Sequence, residues 1–294
     1  MKVSVVIASG AGGEFLHRCL ASLKEQAAAQ GAEVIVVDRV GAKVEPWARA
    51  IRAEGPRPSV PEMRRQGALA AQNEIVAVIE EHCTAPPGWI AAIAGAFEAE
   101  RSSNPPVVAI GGPILDADFD RVRDWVVYFS EYHNYLPPWP AGDRYLLNGA
   151  NIAYRRSALV AHEAELATGY WEVVLHPRLA AEGRLVAVPA MGARHTGPFD
   201  YGYYLEQRYL LSRVWGGTQR AKASLAKRLV YLVAAPIFPF LLLARIAARV
   251  LASGKLLGRF LAALPLLVPV AVAYVWGEWL GYLLGPGNAL ERVE

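Results

Sequence analysis

Asn73-Glu-Ile-Val-Ala-Val-Ile-Glu-Glu-His-Cys-Thr-Ala-Pro-Pro-Gly-Trp89 is the stretch on which the fold turns. Ile75 to Ile79 is a continuous apolar run. It is too short for an independent helix and reads as a strand buried on both faces. The run stops at Glu80, Glu81 and His82, and Pro86, Pro87 and Gly88 then turn the chain. Carboxylates and an imidazole at the carboxyl end of a buried strand lie where open α/β sheets bind ligands. Glu80 and His82 alternate along the chain, so both can face one ion. Taken alone, solvated charges at a strand end explain them equally well, and the rest of the chain has to decide.

Upstream, Val3 to Ile7 reads as a first buried strand and Ser9 to Gly13 as a glycine-rich turn. A helix starts at Glu14, with Leu16, Leu20 and Leu23 on one face. Glu33 to Asp38 is a second strand, so the pair is expected to be parallel with a right-handed crossover. The turn fails as a dinucleotide fingerprint, because position 15 is Phe rather than Gly. Lys43 to Pro61 reads as a loop and Glu62 to Gln72 as a helix carrying Arg64 and Arg65. Downstream come a helix over Trp89 to Glu100 and a strand from Val107 to Ile110. Residues 119–139 are dense in aromatics. Leu146 to Tyr154 reads as a strand interrupted by a polar turn, and Gly169 to Glu182 as a helix with Glu172 near its start. Leu185 to Val188 is a last short strand, His195 lies in a loop, and Tyr201 to Trp215 is an aromatic, basic helix. Trp125, Tyr128, Tyr132 and Tyr135 fall on helical spacing. A core helix and an interfacial membrane helix fit that spacing equally well.

The chain has 294 residues, 54% hydrophobic and 19% charged, with a net charge of +3. That is apolar for a wholly soluble domain, and the excess sits after Leu229. Leu229 to Ala244 is 16 uncharged residues and Phe260 to Gly277 is 18. They fall just short of a ~30 Å hydrocarbon core. Arg220, Lys222, Lys227, Arg228, Arg245, Arg249, Lys255 and Arg259 flank them, which suits an anionic membrane surface and not nucleic acid. With basic residues on both its sides, the first segment is expected not to cross; the second is left able to. Cys19 and Cys83 are too few for a disulfide framework or a cysteine-based zinc site. Met1 to Ile7 runs straight into a strand without the pattern of a signal peptide.

In this order, several short motifs resemble a family-2 glycosyltransferase with the GT-A fold, over roughly residues 1–217. They are Val6-Ile-Ala-Ser9, Asp38, Met63-Arg-Arg-Gln-Gly67, Glu80-Glu-His82, Leu147-Asn-Gly-Ala-Asn151 with Arg155-Arg156, and Trp171-Glu172. The resemblance implies an α/β fold with a mixed, mostly parallel sheet flanked by helices. It implies a catalytic domain over 1–217 and a membrane-associated helical region over 218–294. It assigns nucleotide binding to Ser9, Asp38 and Arg64. The family's Asp-x-Asp metal element corresponds to Glu80-x-His82, with His195 as a third candidate ligand. Imidazole suits softer ions, so Mn²⁺ matches this set better than Mg²⁺. Glu172 takes the place of the catalytic base, with His176 one turn later as the fallback. Asn148, Asn151, Gln207, Arg213 and Trp215 take the places that touch acceptor or diphosphate; the last three match the family's Gln-x-x-Arg-Trp only with altered spacing.

The activity so implied is inverting transfer from a nucleotide-sugar donor to a lipid-linked or membrane-proximal acceptor. Membrane lipid is the implied partner, on the cytoplasmic side of the cell membrane, and a homo-oligomer is compatible with it. Three other classes share parts of the pattern: a nucleotidyltransferase, a dehydrogenase, and a non-catalytic nucleotide-sugar or membrane-binding protein. The missing glycine argues against the second, and Glu172 with the apolar tail against the first.

Overall fold

The computed structural model describes residues 1–56, 58–116, 119–166, 174–197 and 200–292. The chain begins with β1 (Val3–Ser9), α1 (Gly13–Gln30), β2 (Glu33–Asp38), β3 (Arg49–Arg52), α2 (Val60–Ala70), β4 (Ile75–Ile79), β5 (Cys83–Thr84) and α3 (Trp89–Ala99). It continues through β6 (Val107–Gly111), β7 (Ile114–Leu115), α4 (Val122–Tyr132), β8 (Gly142–Asp143), β9 (Asn151–Arg155), α5 (Arg156–Ala161), α6 (Glu163–Leu166), α7 (His176–Glu182), β10 (Arg184–Ala187) and β11 (Ala193–His195). The helices α8 (Tyr201–Lys222), α9 (Leu225–Ala234), α10 (Phe238–Ser253), α11 (Leu257–Leu284) and α12 (Ala289–Arg292) follow. Two compact units result. Among the described residues the first comprises 1–116 with 137–197, and the second 119–136 with 200–292. The boundary expected at residue 217 falls inside α8.

The first unit holds an eight-stranded sheet in the order β3-β2-β1-β4-β9-β6-β10-β8. β3, β2, β1 and β4 are parallel, β9 runs against both β4 and β6, and β10 runs parallel to β6. This is the mixed, mostly parallel sheet that the alternation of apolar runs and helices implies. β1 and β4 are buried along their whole length, because helices cover both faces at the centre of the sheet. Strand order reverses at β1: β2 and β3 lie to one side and β4 to the other. The crevice beyond the carboxyl ends of β1 and β4 is therefore the topological switch point, where open α/β sheets bind ligands. A small sheet, β5-β11-β7, continues from this edge.

Helix α2 is placed by its caps and by one glycine. The Ser59 hydroxyl accepts from the Glu62 amide, and Pro61 in the first turn has no amide to leave unpaired. A Cβ on Gly67 would run into a Val6 methyl and come within 3.1 Å of Val37 Cγ2. Only glycine lets α2 lie this close to β1 and β2, and that approach carries Arg64 to the sheet's carboxyl edge.

Some expectations change. His195 lies in strand β11 and not in a loop, because it pairs with Cys83 of β5, so Leu185 to Val188 is not the last strand. Residues 43–61 are not all loop, since β3 pairs with β2 there; its Arg-Ala-Ile-Arg sequence suits a mostly exposed edge strand and gives no apolar run to detect. The aromatic stretch forms α4, a core helix of the second unit. Trp125, Tyr128, Phe129 and Tyr132 are buried, and Phe129 meets Phe260 of α11 edge-on at 5.7 Å.

In the second unit the first apolar segment breaks at Pro236: α9 ends at Ala234 and α10 begins at Phe238. α11 runs unbroken through Pro265 and Pro269. Leu225–Ser253 and Leu257–Leu284 are both long and apolar enough to cross a membrane, by length and composition.

Candidate functional site at the switch point

The central strand delivers Glu80, Glu81 and His82 in three different settings. Arg64 is 7% exposed, and its guanidinium donates to Glu80 Oε1 at 3.0 Å. A buried guanidinium needs such a partner, because an unpaired charge out of water is costly. Glu80 therefore faces an arginine contributed by α2.

Alternation turns Glu81 the other way, into the glycine-rich turn after β1. Its carboxylate is 3% exposed and accepts four hydrogen bonds. Gly10 N and Ala11 N donate to Oε1 at 2.9 and 2.7 Å, and Ser9 Oγ and Gly12 N donate to Oε2, both at 2.9 Å. Successive amides turned inward make an anion cradle, and here a side chain of the protein fills it. Ser9, expected to touch nucleotide, is fully buried with its hydroxyl on Glu81.

Asp38, paired in register with Ser9, is also tied down. Its carboxylate accepts from Val40 N at 3.2 Å, Gly41 N at 2.6 Å, Ala42 N at 3.0 Å and Arg52 Nη1 at 3.2 Å. Arg39, missed in the sequence, brings its guanidinium beside Gly10: a Cβ there would stand 3.2 Å from Nη2. Arg39 Nη1 donates to the Pro58 carbonyl at 3.3 Å. The edge thus gathers Arg39, Arg52 and Arg64 around Asp38, Glu80 and Glu81.

The His82 ring packs at 5.0 Å from Phe15, and its carbonyl accepts from both Thr196 N and Thr196 Oγ1 at 2.7 Å. β5 and β11 bring His195 next to Cys83, so the two histidines approach each other. Burial, with the charge of His82 adding to it, pushes the His195 imidazole down to about 3, so it is neutral near pH 7. Glu80 and His82 follow the carboxyl end of β4, and His195 stands in β11 of the small sheet that continues from it. Among the described residues, however, no three His, Cys, Asp or Glu side chains stand close enough to hold a metal ion. The arrangement does not fit a metal centre built from protein groups alone.

The 147–151 turn borders Glu80, whose amide donates to the Ala150 carbonyl at 3.3 Å. Asn148 is half-buried, and its side-chain oxygen accepts from Ala150 N at 2.7 Å. Asn151 is fully buried. Its oxygen accepts from Trp89 Nε1 at 2.9 Å, and its amide donates to the carbonyls of Pro113 at 3.2 Å and Met191 at 2.6 Å. It pins β9, α3 and two loops together and presents no free group to an acceptor. Asn151→Ala is expected to lower the unfolding free energy by about 2 kcal/mol, since it orphans a buried indole N–H and two carbonyls. Urea titration of the two chains checks this.

Glu172 lies outside the described residues. His176 is fully buried; Leu147 N donates to its Nδ1 at 3.5 Å and Nε2 pairs with the Tyr154 hydroxyl at 2.9 Å. Both ring nitrogens are engaged, so His176 has no access to an acceptor hydroxyl as placed. Gln207, Arg213 and Trp215 all belong to α8 in the second unit. Gln207 donates to the Arg292 carbonyl at 3.3 Å, and Arg213 to the Gly285 carbonyl at 3.5 Å and the Tyr209 hydroxyl at 3.2 Å. The contacts with Arg292 and Gly285 tie α8 to the chain around the end of α11, and the Tyr209 contact lies within α8.

This fold is that of the GT-A glycosyltransferases. A mannosyltransferase from Pyrobaculum calidifontis, solved with GDP-Man and Mn²⁺, superposes with a TM-score of 0.52 at 16% identity, over 99% of this chain and 88% of that one. GalNAc-T7, solved with UDP, GalNAc and Mn²⁺, gives 0.51 at 15% identity over 68% of this chain. The match spans 44% of the GalNAc-T7 chain, less than half its length. No family model matches the sequence, and no curated protein matches it.

Proposed function

We propose that this chain is an inverting glycosyltransferase that moves a sugar from a nucleotide-sugar donor to a lipid-linked or membrane-proximal acceptor at the cytoplasmic face of the cell membrane. The observation that carries it is the Arg64–Glu80 pair at the switch point of a GT-A sheet, with Asp38 and Arg39 at the neighbouring strand end. Arginine matches phosphate oxygens in a planar, two-pronged geometry, so Arg64 and Arg39 are the groups assigned to the donor diphosphate. Asp38 and its turn are assigned to the nucleoside. Glu172 is assigned as the general base that takes the proton from the attacking acceptor hydroxyl while the nucleoside diphosphate leaves the anomeric carbon. A divalent ion, Mn²⁺ rather than Mg²⁺ by the imidazole, is part of the proposal only if the donor diphosphate completes its ligands beside Glu80 and His82, because the protein groups alone do not make a metal centre.

Thermal-shift titration with a panel of nucleotide sugars, with and without Mn²⁺, tests donor and ion together. Release of nucleoside diphosphate on adding membrane lipid tests transfer. Glu172→Gln is expected to keep donor affinity and to lose about 10²–10⁴-fold in turnover, the share general base catalysis usually supplies. A variant that loses stability but keeps its specific rate would return Glu172 to a structural role. One observation favours a second function, donor binding without transfer: Glu80, Glu81 and Asp38 are all held by protein donors. Donor-induced stabilisation with no diphosphate release under any condition would establish it.

A further inference from the structure

α11 has 28 residues and is about 42 Å long, more than a bilayer's hydrocarbon core requires. Its neighbour decides whether it can cross. α8 lies beside it in parallel, with contacts that advance together along both helices. Tyr201 donates to the Leu266 carbonyl at 2.6 Å, Gly277 abuts the Tyr209 carbonyl, Gly281 abuts Arg213, and Gly217 abuts Pro286. α8 is not a membrane helix. It carries Glu206, Arg208, Arg213, Arg220 and Lys222, and the Asp200 carboxylate caps its start. Carrying α11 across a bilayer would drag Glu206, Arg208 and Arg213 toward hydrocarbon depth, where charged groups are rare and costly even when paired, as Arg208 is with Glu131 at 2.9 Å. α4, with Asp124 and Glu131, packs along α11 as well, and Arg259 lies over the Trp125 ring at 5.4 Å.

The free side of α11 is a single apolar stripe. Leu261, Val268, Val272 and Trp276 are all exposed, and Val233 of α9 and Phe240 of α10 are exposed at 81% and 72%. A patch of this size on a water-soluble protein marks an interaction surface. The basic residues name the occupant. Lys255 and Arg259 stand at the start of α11, and Arg220 reaches Gly285 at its end, near Lys222. Positive charge at both ends places both ends on one side of a membrane. Pro265 and Pro269 have no amide to donate to the carbonyls of Leu261 and Pro265 on the exposed face, and such groups are tolerated among headgroups far better than in hydrocarbon.

We infer that α9, α10 and α11 enter one leaflet of an anionic phospholipid bilayer and lie in its plane, so that no segment of the second unit crosses. This deepens the membrane part of the proposed function and rests on it. The test uses the full chain expressed in cells, with Lys255→Cys and Asn288→Cys introduced separately at the two ends of α11. Cys19 and Cys83 are buried and serve as the unlabelled background. An impermeant maleimide is expected to label both positions in inside-out vesicles and neither in intact cells. Labelling of the two positions from opposite sides would overturn the inference. Purified chain is expected to float with phosphatidylglycerol-containing vesicles. A soluble oligomer that does not float would equally overturn it, by showing that a second copy covers the apolar face. Diphosphate release is measured on the same membranes. Same-side labelling without transfer would remove the proposed reaction and leave this placement supported.

Discussion

Gly281→Leu is expected to destroy the packing of the second unit. A Cβ at position 281 would stand 2.7 Å from the amide nitrogen of Gly217 and 2.8 Å from Gly216 Cα, and it would also meet the Arg213 carbonyl. These are backbone atoms, which cannot swing aside as a side chain can. α8 and α11 would have to part along their length. That would open the contacts of Tyr201 with Leu266 and of Arg213 with Gly285. Overpacking against side chains typically costs about 1–3 kcal/mol. Against backbone over a whole helix pair the cost should exceed about 4 kcal/mol, a large part of a domain's stability. Gly277→Leu should behave alike, since its Cβ would stand 3.2 Å from Arg213 N. Leu283→Ala, on the exposed side, should leave stability nearly unchanged. The measurement is chemical unfolding in mild detergent, followed by tryptophan fluorescence. A Gly281→Leu chain that unfolds like the parent would show that the two helices are not packed at this distance.

This glycine pair also shows where local sequence patterns stop. Gly277-x-x-x-Gly281 in an apolar helix is the spacing of helix dimers in membranes, yet here the seam is filled by α8 of the same chain. Nothing within α11 names its partner. By contrast β4 was legible to the residue, because Ile75 to Ile79 buries both faces and ends in charges and a proline turn. The parallel pairing of β1 with β2 followed from strand–helix–strand order, whereas the switch point needs β4 on the other side of β1, a long-range pairing that local patterns do not give. β3 was not legible, since an edge strand written Arg-Ala-Ile-Arg has no run to find. The positions of Ser9, Asp38, Arg64, Glu80 and His82 at one sheet edge were legible through the family resemblance. What their side chains hold was not, because each partner is distant in sequence: Arg64 for Glu80, Arg52 for Asp38, and the 9–12 turn for Glu81.

Glu81 is where the second large effect is expected. It sits at the unspecified middle of the metal-type element, and alternation along the strand sends it away from Glu80 and His82. Truncating it in Glu81→Ala removes the acceptor for the Ser9 hydroxyl and for the amides of Gly10, Ala11 and Gly12 at once. Each buried donor left unpaired costs about 1–3 kcal/mol, less where water can enter the space vacated. A net loss of about 4 kcal/mol is therefore expected. Glu81→Gln keeps the shape and one carbonyl oxygen but sets an amide NH₂ against two donors, so about half that loss should follow. The chain that moves is the turn after β1, beside Arg39 and Asp38, so donor affinity should fall in both variants together with stability. The emptied cradle supplies a sharper test. Four donors converging on one point will accept an anion, and a ligand that binds only the folded state stabilises it in proportion to its occupancy. Sulfate or phosphate should accordingly raise the unfolding temperature of Glu81→Ala more than that of the parent chain, in which the carboxylate already occupies the place. Equal responses of the two chains to sulfate, or a Glu81→Gln chain indistinguishable from the parent in stability, would show that Glu81 does not hold the turn.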